Sequence, residues 1–215
     1  MRKRKKWNED TRVKIPATIQ FMRLGYDYQP IHEGTIDFDT KIYIERFQKA
    51  LERINDRVFS REDTLEVIKQ IHTACCNYDL GKKFYRWLTI NPDDDVKLID
   101  FQNIENNDFA VVNELSYTIK QNTKEGSFRP DINILVNGIP LAFLEVKKPN
   151  NLGGIQAEFQ RMVQERLKHK EYYRYFNKLQ LITFSNNMEY EEEKADVSEV
   201  KAGSFYTTPN GQQWC

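Results

Sequence analysis

Pro130-Asp131-Ile132-Asn133-Ile134-Leu135-Val136-Asn137-Gly138-Ile139-Pro140-Leu141-Ala142-Phe143-Leu144-Glu145-Val146-Lys147 joins two apolar runs at an Asn-Gly pair. Asn-Gly between apolar runs of this length marks a β-hairpin. One acid opens the first strand, a second acid lies near the end of the other, and a lysine follows two residues later on the same face. Carboxylates that converge at strand ends make a hard, oxygen-rich pocket of the kind Mg2+ prefers.

Convergence depends on register. With a strict two-residue turn, Val136 pairs with Ile139 and Asp131 falls opposite Leu144, so that the two acids point to opposite faces. For Asp131 to meet Glu145 the hairpin needs one extra residue, as a longer loop or a bulge. Pro140 cannot donate to a ladder and is a natural place for the irregularity. A non-ideal hairpin is therefore expected.

Glu-x-Lys is a cheap pattern in a chain that is 30% charged, and it recurs at Glu192-Glu193-Lys194 and Glu199-Val200-Lys201. Those copies lie in a polar, acidic stretch without an apolar strand and read as solvated surface. Pro92-Asp93 likewise opens an acidic loop. Only residues 130–147 combine Pro-Asp, a hairpin signal, an apolar run and Glu-x-Lys.

Around this stretch the chain resembles a known family. Arg129-Pro130-Asp131, Val136-Asn137-Gly138-Ile139-Pro140-Leu141 and Leu144-Glu145-Val146-Lys147-Lys148-Pro149-Asn150 look like the PD-(D/E)xK nuclease signature of the R (restriction) subunit of type I restriction enzymes. Asn8-Glu9-Asp10-Thr11-Arg12-Val13-Lys14-Ile15-Pro16, Phe109-Ala110-Val111-Val112-Asn113-Glu114-Leu115 and Phe184-Ser185-Asn186-Asn187 extend the likeness from about residue 7 to 208.

The resemblance implies an α/β fold, a restriction-endonuclease-like core of mixed central sheet flanked by helices, with a helical N-terminal subdomain. Residues 1–90 would form the helical part, 91–200 the nuclease core and 201–215 the start of a linker. It implies metal-dependent hydrolysis of double-stranded DNA, with Asp131, Glu145 and the Val146 carbonyl holding Mg2+ and Lys147 beside the phosphate. Glu9 matches an acidic residue that approaches the metal in this family. Gln160 matches the glutamine of a Gln-x-x-x-Tyr motif, although Gln164 stands where the tyrosine is expected. Lys148, Asn150, Asn151 and Arg161 are candidates for the DNA backbone.

In the family, methyltransferase and specificity subunits complete the complex, and an ATP-driven translocase follows the nuclease. The Gly-x-x-x-x-Gly-Lys-Ser/Thr loop of such a motor is absent: ahead of Gly81-Lys82-Lys83 stands Cys76, and Lys83 replaces the hydroxyl residue. ATP therefore belongs to a longer subunit, and the chain reads as truncated before the motor. The other readings are a non-cutting DNA-binding or assembly module and a stand-alone, structure-specific nuclease.

Composition agrees with a globular chain, 40% hydrophobic and 13% aromatic over 215 residues. Lysine plus arginine equals aspartate plus glutamate at 32 each, so any grip on DNA must be local. Cys75, Cys76 and Cys215 suit neither a disulfide framework nor a zinc site and point to a reducing, cytoplasmic setting. The basic start Met1-Arg2-Lys3-Arg4-Lys5-Lys6 runs into polar residues rather than an apolar core, and no run reaches membrane-spanning length.

Helical periodicity predicts a first helix with Ile15, Ile19 and Met22 inward, ending near Gly25. A second is expected at 40–57 with Ile44, Phe47, Leu51 and Ile54 inward, and a third at 61–78 with Leu65, Ile68, Ile71 and Ala74. Strands are expected at 96–101, 109–118, 132–137, 139–147 and 179–185. A helix at about 154–168 should bury Ile155, Phe159, Met162, Val163 and Leu167.

Overall fold

In the computed structural model the described residues are 13–32, 35–77, 79–90, 96–118, 127–148, 154–168 and 172–185, with backbone alone at 204–207 and 213–214. At the hairpin, Asn137 (φ 53°) and Gly138 (φ 76°) are both left-handed, the signature of a tight two-residue turn. Val136 pairs with Ile139 and Leu135 with Pro140, but the next pair is Ile134 with Ala142. Leu141 is thus an extra residue, a bulge directly after the proline. Its carbonyl is not orphaned, because the Gln180 N–H donates to it at 2.6 Å. Beyond the bulge Ile132 faces Leu144, and the register brings Asp131 beside Glu145.

The turn is anchored from two directions. Asn137 is fully buried; its Nδ2 donates to the Leu98 carbonyl (2.8 Å) and to Asn107 Oδ1 (2.9 Å), and its Oδ1 accepts from the Asp108 N–H (2.7 Å). On the other side the Tyr43 N–H donates to the Gly138 carbonyl at 3.0 Å.

The hairpin strands β5 (Ile132–Val136) and β6 (Ile139–Val146) lie in the middle of a mixed seven-stranded sheet ordered β1-β2-β5-β6-β7-β8-β9. Here β1 is Asp27–Tyr28, β2 Phe109–Asn113, β7 Leu181–Ser185, β8 Ser204–Thr207 and β9 Gln213–Trp214, while β3 (Tyr117–Thr118) and β4 (Ser127–Phe128) form a separate ribbon. The β1–β2 and β6–β7 pairs are parallel and the other pairs of the sheet antiparallel. Helices flank this sheet, as the resemblance implies. Residues 204–207 and 213–214 form the strands at one edge of it.

Three helical groups cover the sheet. Val13, Ala17 and Phe21 of the α1 segment (α1, Ile15–Arg23) pack on Val111, Ile132, Ile134, Leu144 and Val146. Around the hairpin tip, α2 (Ile44–Asn55), α3 (Arg61–Cys75) and α4 (Lys82–Ile90) bury Phe47, Leu51, Ile68, Ile71 and Phe84 with Ile139 and Leu141. The opposite face carries Phe143, Ile182 and Phe184, covered by α5 (Gly154–Arg161), a π-helical turn (Met162–Arg166) and α6 (Tyr173–Phe176). Ser60 and Asp63 form a reciprocal capping box that starts α3.

Several expectations change. Ile15, Ile19 and Met22 are 46%, 44% and 48% exposed, and the inward side of α1 is Val13, Ala17, Thr18 and Phe21. Thr18 Oγ1 lies 3.0 Å from Asn113 Oδ1 and donates to the Lys14 carbonyl, so α1 meets the end of β2 through polar groups that a count of apolar residues overlooks. Leu65 is 39% exposed, and Val67 takes its inward place. Residues 96–101 bury Leu98 but form no strand; Asn55 brackets the Lys97 backbone and Trp87 Nε1 donates to the Val96 carbonyl. α4, with Phe84, Trp87 and Leu88 inward, is an element the periodicity reading did not include.

A Cβ on Gly138 would lie 2.8 Å from the Tyr43 carbonyl oxygen and 2.9 Å from the Phe47 nitrogen. Gly138→Ala is therefore expected to lower unfolding free energy by about 2–4 kcal/mol, from overpacking plus a left-handed non-glycine backbone. Urea titration followed by circular dichroism measures it.

Candidate active site

Asp131 sits just before β5, half-buried, with its carbonyl accepting from the Glu114 N–H at 3.0 Å, which carries the β2–β5 ladder one step further. Its Oδ2 accepts from the Val146 N–H at 3.0 Å. The carboxyls of Asp131 and Glu145 are within hydrogen-bonding reach of each other. Lys147 is held by its own N–H on the Ser185 carbonyl (2.8 Å), and its Nζ lies 3.3 Å from Glu158 Oε2. The structure therefore gathers Asp131, Glu145 and Lys147 at the end of β6 where it runs beside β7.

Glu145 is only 4% exposed. Burial, then the neighbouring Asp131 carboxyl, pushes its pKa up to about 8, against the pull of Lys147. Arg166 reaches it from the π-helical turn, with Nη1 3.2 Å from Oε1. That turn is closed by a Leu167 N–H bond to the Met162 carbonyl, five residues back.

Glu158 on α5 is the residue that the sequence reading missed. It is 6% exposed and binds three cations: Lys147, Arg166 (3.4 Å) and Arg161. Burial alone would raise its pKa, but the Arg161 hydrogen bond and the charges of Lys147, Arg161 and Arg166 outweigh it and leave the carboxyl below its ordinary value. The available signal was its spacing: Ile155, Glu158 and Met162 fall on one side of the helix, so the acid shares the buried stripe.

Other candidates lie further out. Gln160, Arg161 and Lys148 are exposed, and Arg161 is engaged with Glu158. Glu9, Asn150 and Asn151 lie outside the described residues. Among the described residues, no three carboxylate, imidazole or thiol side chains form a ready-made metal cage. The donors at hand are the Asp131 and Glu145 carboxylates and main-chain oxygen.

The model of the type I restriction enzyme R protein N terminus matches residues 6–191. The chain belongs to that family. Among its relatives is a Methanocaldococcus jannaschii protein provisionally named type I restriction enzyme MjaIXP endonuclease subunit, 34% identical over 167 residues, covering 68% of this chain and 16% of the relative. The type I restriction enzyme HindI endonuclease subunit of Haemophilus influenzae is 29% identical over 155 residues, 61% of this chain and 14% of its own length. The chain thus spans about a sixth of the relatives it matches.

The Glu145 environment sets a pH dependence. The folded chain keeps a proton that the unfolded chain, with an ordinary carboxyl near 4.5, has already lost, so this group's contribution to stability falls as pH rises from about 4.5 to about 8. In EDTA, chemical denaturation at about pH 5 and about pH 8 should show this loss, and Glu145→Gln should remove it. Breaking the Glu158 hub leaves buried charge uncompensated: Glu158→Ala is expected to cost about 3 kcal/mol, whereas exposed Arg161→Ala costs less than about 1 kcal/mol. Thermal melts of the two variants check the difference.

Proposed function

We propose that this chain is a metal-dependent endonuclease unit that hydrolyses phosphodiester bonds of double-stranded DNA, acting as part of a type I restriction system. The observation that carries the reading is the bulge at Leu141, which puts Asp131 beside Glu145 with Lys147 two residues on. Membership in the R protein N-terminus family, and relatives named as endonuclease subunits, support the same activity.

The residues fit a divalent cation such as Mg2+ by the chemistry of their donors. Asp131 and Glu145 offer hard oxygens, and the Val146 carbonyl and Glu9 are the further ligand candidates. Glu145 is buried beside a second acid, an arrangement that calls for positive charge at that point. When bound, the ion would screen the phosphate's negative charge and lower the pKa of an attacking water.

The chain's own groups do the rest. Lys147, oriented by Glu158, presents a compact ammonium to the phosphate, where charge grows in the transition state. Asp131 is braced by the Val146 N–H, so the two strands hold the acids at a set separation. Gln160, Lys148 and Arg161, all exposed, are the donors offered to the DNA backbone.

Methyltransferase and specificity subunits would supply recognition, and ATP would serve a motor in the longer subunit rather than this chain. A cytoplasmic setting follows from that role. Among the described residues no helix is long and apolar enough to cross a membrane.

Asp131→Asn, Glu145→Gln and Lys147→Ala should each reduce nicking of supercoiled plasmid in Mg2+ or Mn2+ by about 10²–10⁴-fold, with circular dichroism unchanged. Cleavage retained by purified Asp131→Asn and Lys147→Ala proteins would rule the assignment out.

A further inference from the structure

We propose that Arg166 is a two-position guanidinium, holding Glu145 while the site lacks a cation and passing to a DNA phosphate when a divalent cation takes that carboxylate. This role presupposes the metal-dependent cleavage proposed above and adds to it a residue outside the Asp-Glu-Lys set.

Its present partners define the first position. Arg166 Nη1 lies 3.2 Å from Glu145 Oε1 and 3.4 Å from Glu158 Oε1, and the guanidinium carbon sits 4.3 Å from the centre of the Phe128 ring. Ionising a carboxyl buried beside a second acid is costly without positive charge, and the guanidinium at 3.2 Å is the positive charge at hand. A dication and a guanidinium at the same carboxylate oxygen repel one another, so occupation by one disfavours the other.

The second position follows from what Arg166 keeps when Glu145 is withdrawn. Glu158 and the Phe128 face still hold it, and Glu158 also holds Lys147 at 3.3 Å. The displaced guanidinium therefore stays next to the lysine, on the same buried acid. Its side chain is 20% exposed, so it is open to a ligand from solvent. A planar fork of donors suits phosphate oxygens, and a single π-helical turn is a backbone irregularity often found where a helix delivers a functional side chain.

The test uses the 215-residue chain, Arg166→Met, which keeps apolar packing on Phe128 without charge, and Arg166→Lys, which keeps the charge. Titration calorimetry with Mn2+ should show about tenfold tighter binding to Arg166→Met than to the parent, with Arg166→Lys within about threefold of the parent. Fluorescence anisotropy on a short duplex in Ca2+ should show about tenfold weaker DNA binding by Arg166→Met. Equal Mn2+ affinity in parent and Arg166→Met overturns the exchange, and equal DNA affinity overturns the second position. Failure of both proteins to bind Mn2+ removes the metal reading itself, and this role with it. If Arg166→Met does not fold, Arg166→Gln carries the same two measurements.

Discussion

The site depends on one unpaired residue in a β-ladder. Side chains alternate across a strand, so a hairpin with a perfect two-residue turn at Asn137-Gly138 would leave Asp131 and Glu145 on opposite faces. Leu141 shifts the register by one, and everything beyond it on β6 changes face relative to β5. The shift is stable because its costs are met locally. Pro140 has no N–H to lose, Gln180 takes the Leu141 carbonyl, and Leu141 itself packs into the core beside Ile139 and the α2–α4 helices. A bulge embedded in this way is part of the core rather than a weak edge feature.

Electrostatic balance at the site is the next consequence. Asp131, Glu145 and Glu158 bring acids together in a poorly solvated corner, and Lys147, Arg161 and Arg166 answer them. The answer is uneven. Glu158 has three cationic partners and stays ionised, whereas Glu145 has one shared arginine and tends to keep its proton. Two carboxyls in one cluster are thereby driven apart in pKa by their surroundings, an arrangement that separates an anchoring acid from one that still needs positive charge. A chain with no net charge can in this way concentrate cations at one place.

The fold and the central pair of acids were legible in the sequence because they rest on short-range rules. Asn-Gly forces the turn, Pro140 marks the irregularity, and the need for Asp131 to meet Glu145 predicts an extra residue that the structure contains at Leu141. The stripe of α2 was equally plain, with Ile44, Phe47, Leu51 and Ile54 all buried. What escaped depends on partners distant in sequence. Ile15, Ile19 and Met22 have helical spacing, but the surface that α1 meets includes Asn113, which selects Thr18 instead. Leu98 is buried without a ladder because Asn55 and Trp87 satisfy the neighbouring backbone. Glu158 and Arg166 were not among the candidate residues; the placement of α5 and the π-helical turn over β6 and β7 brings them to Lys147 and Glu145.

The apolar layer beneath the cluster explains why its charges interact so strongly. Phe128, Phe143, Tyr172, Tyr175 and Phe176 form a continuous set of edge and stacked ring contacts directly under the sheet end. Such a layer admits little water, so a carboxyl resting on it feels its neighbours at low effective dielectric. Tyr175 donates to Asn133 Oδ1 at 2.7 Å and so keeps its own hydroxyl satisfied within that layer. The same rings that stabilise the core thus raise the cost of ionising Glu145, and the Phe128 face that takes part in the core also seats the guanidinium opposite it. Packing and charge at this end of the sheet are one design: loosening the aromatic layer would admit water, lower the Glu145 pKa and weaken the demand for positive charge that the cluster now expresses.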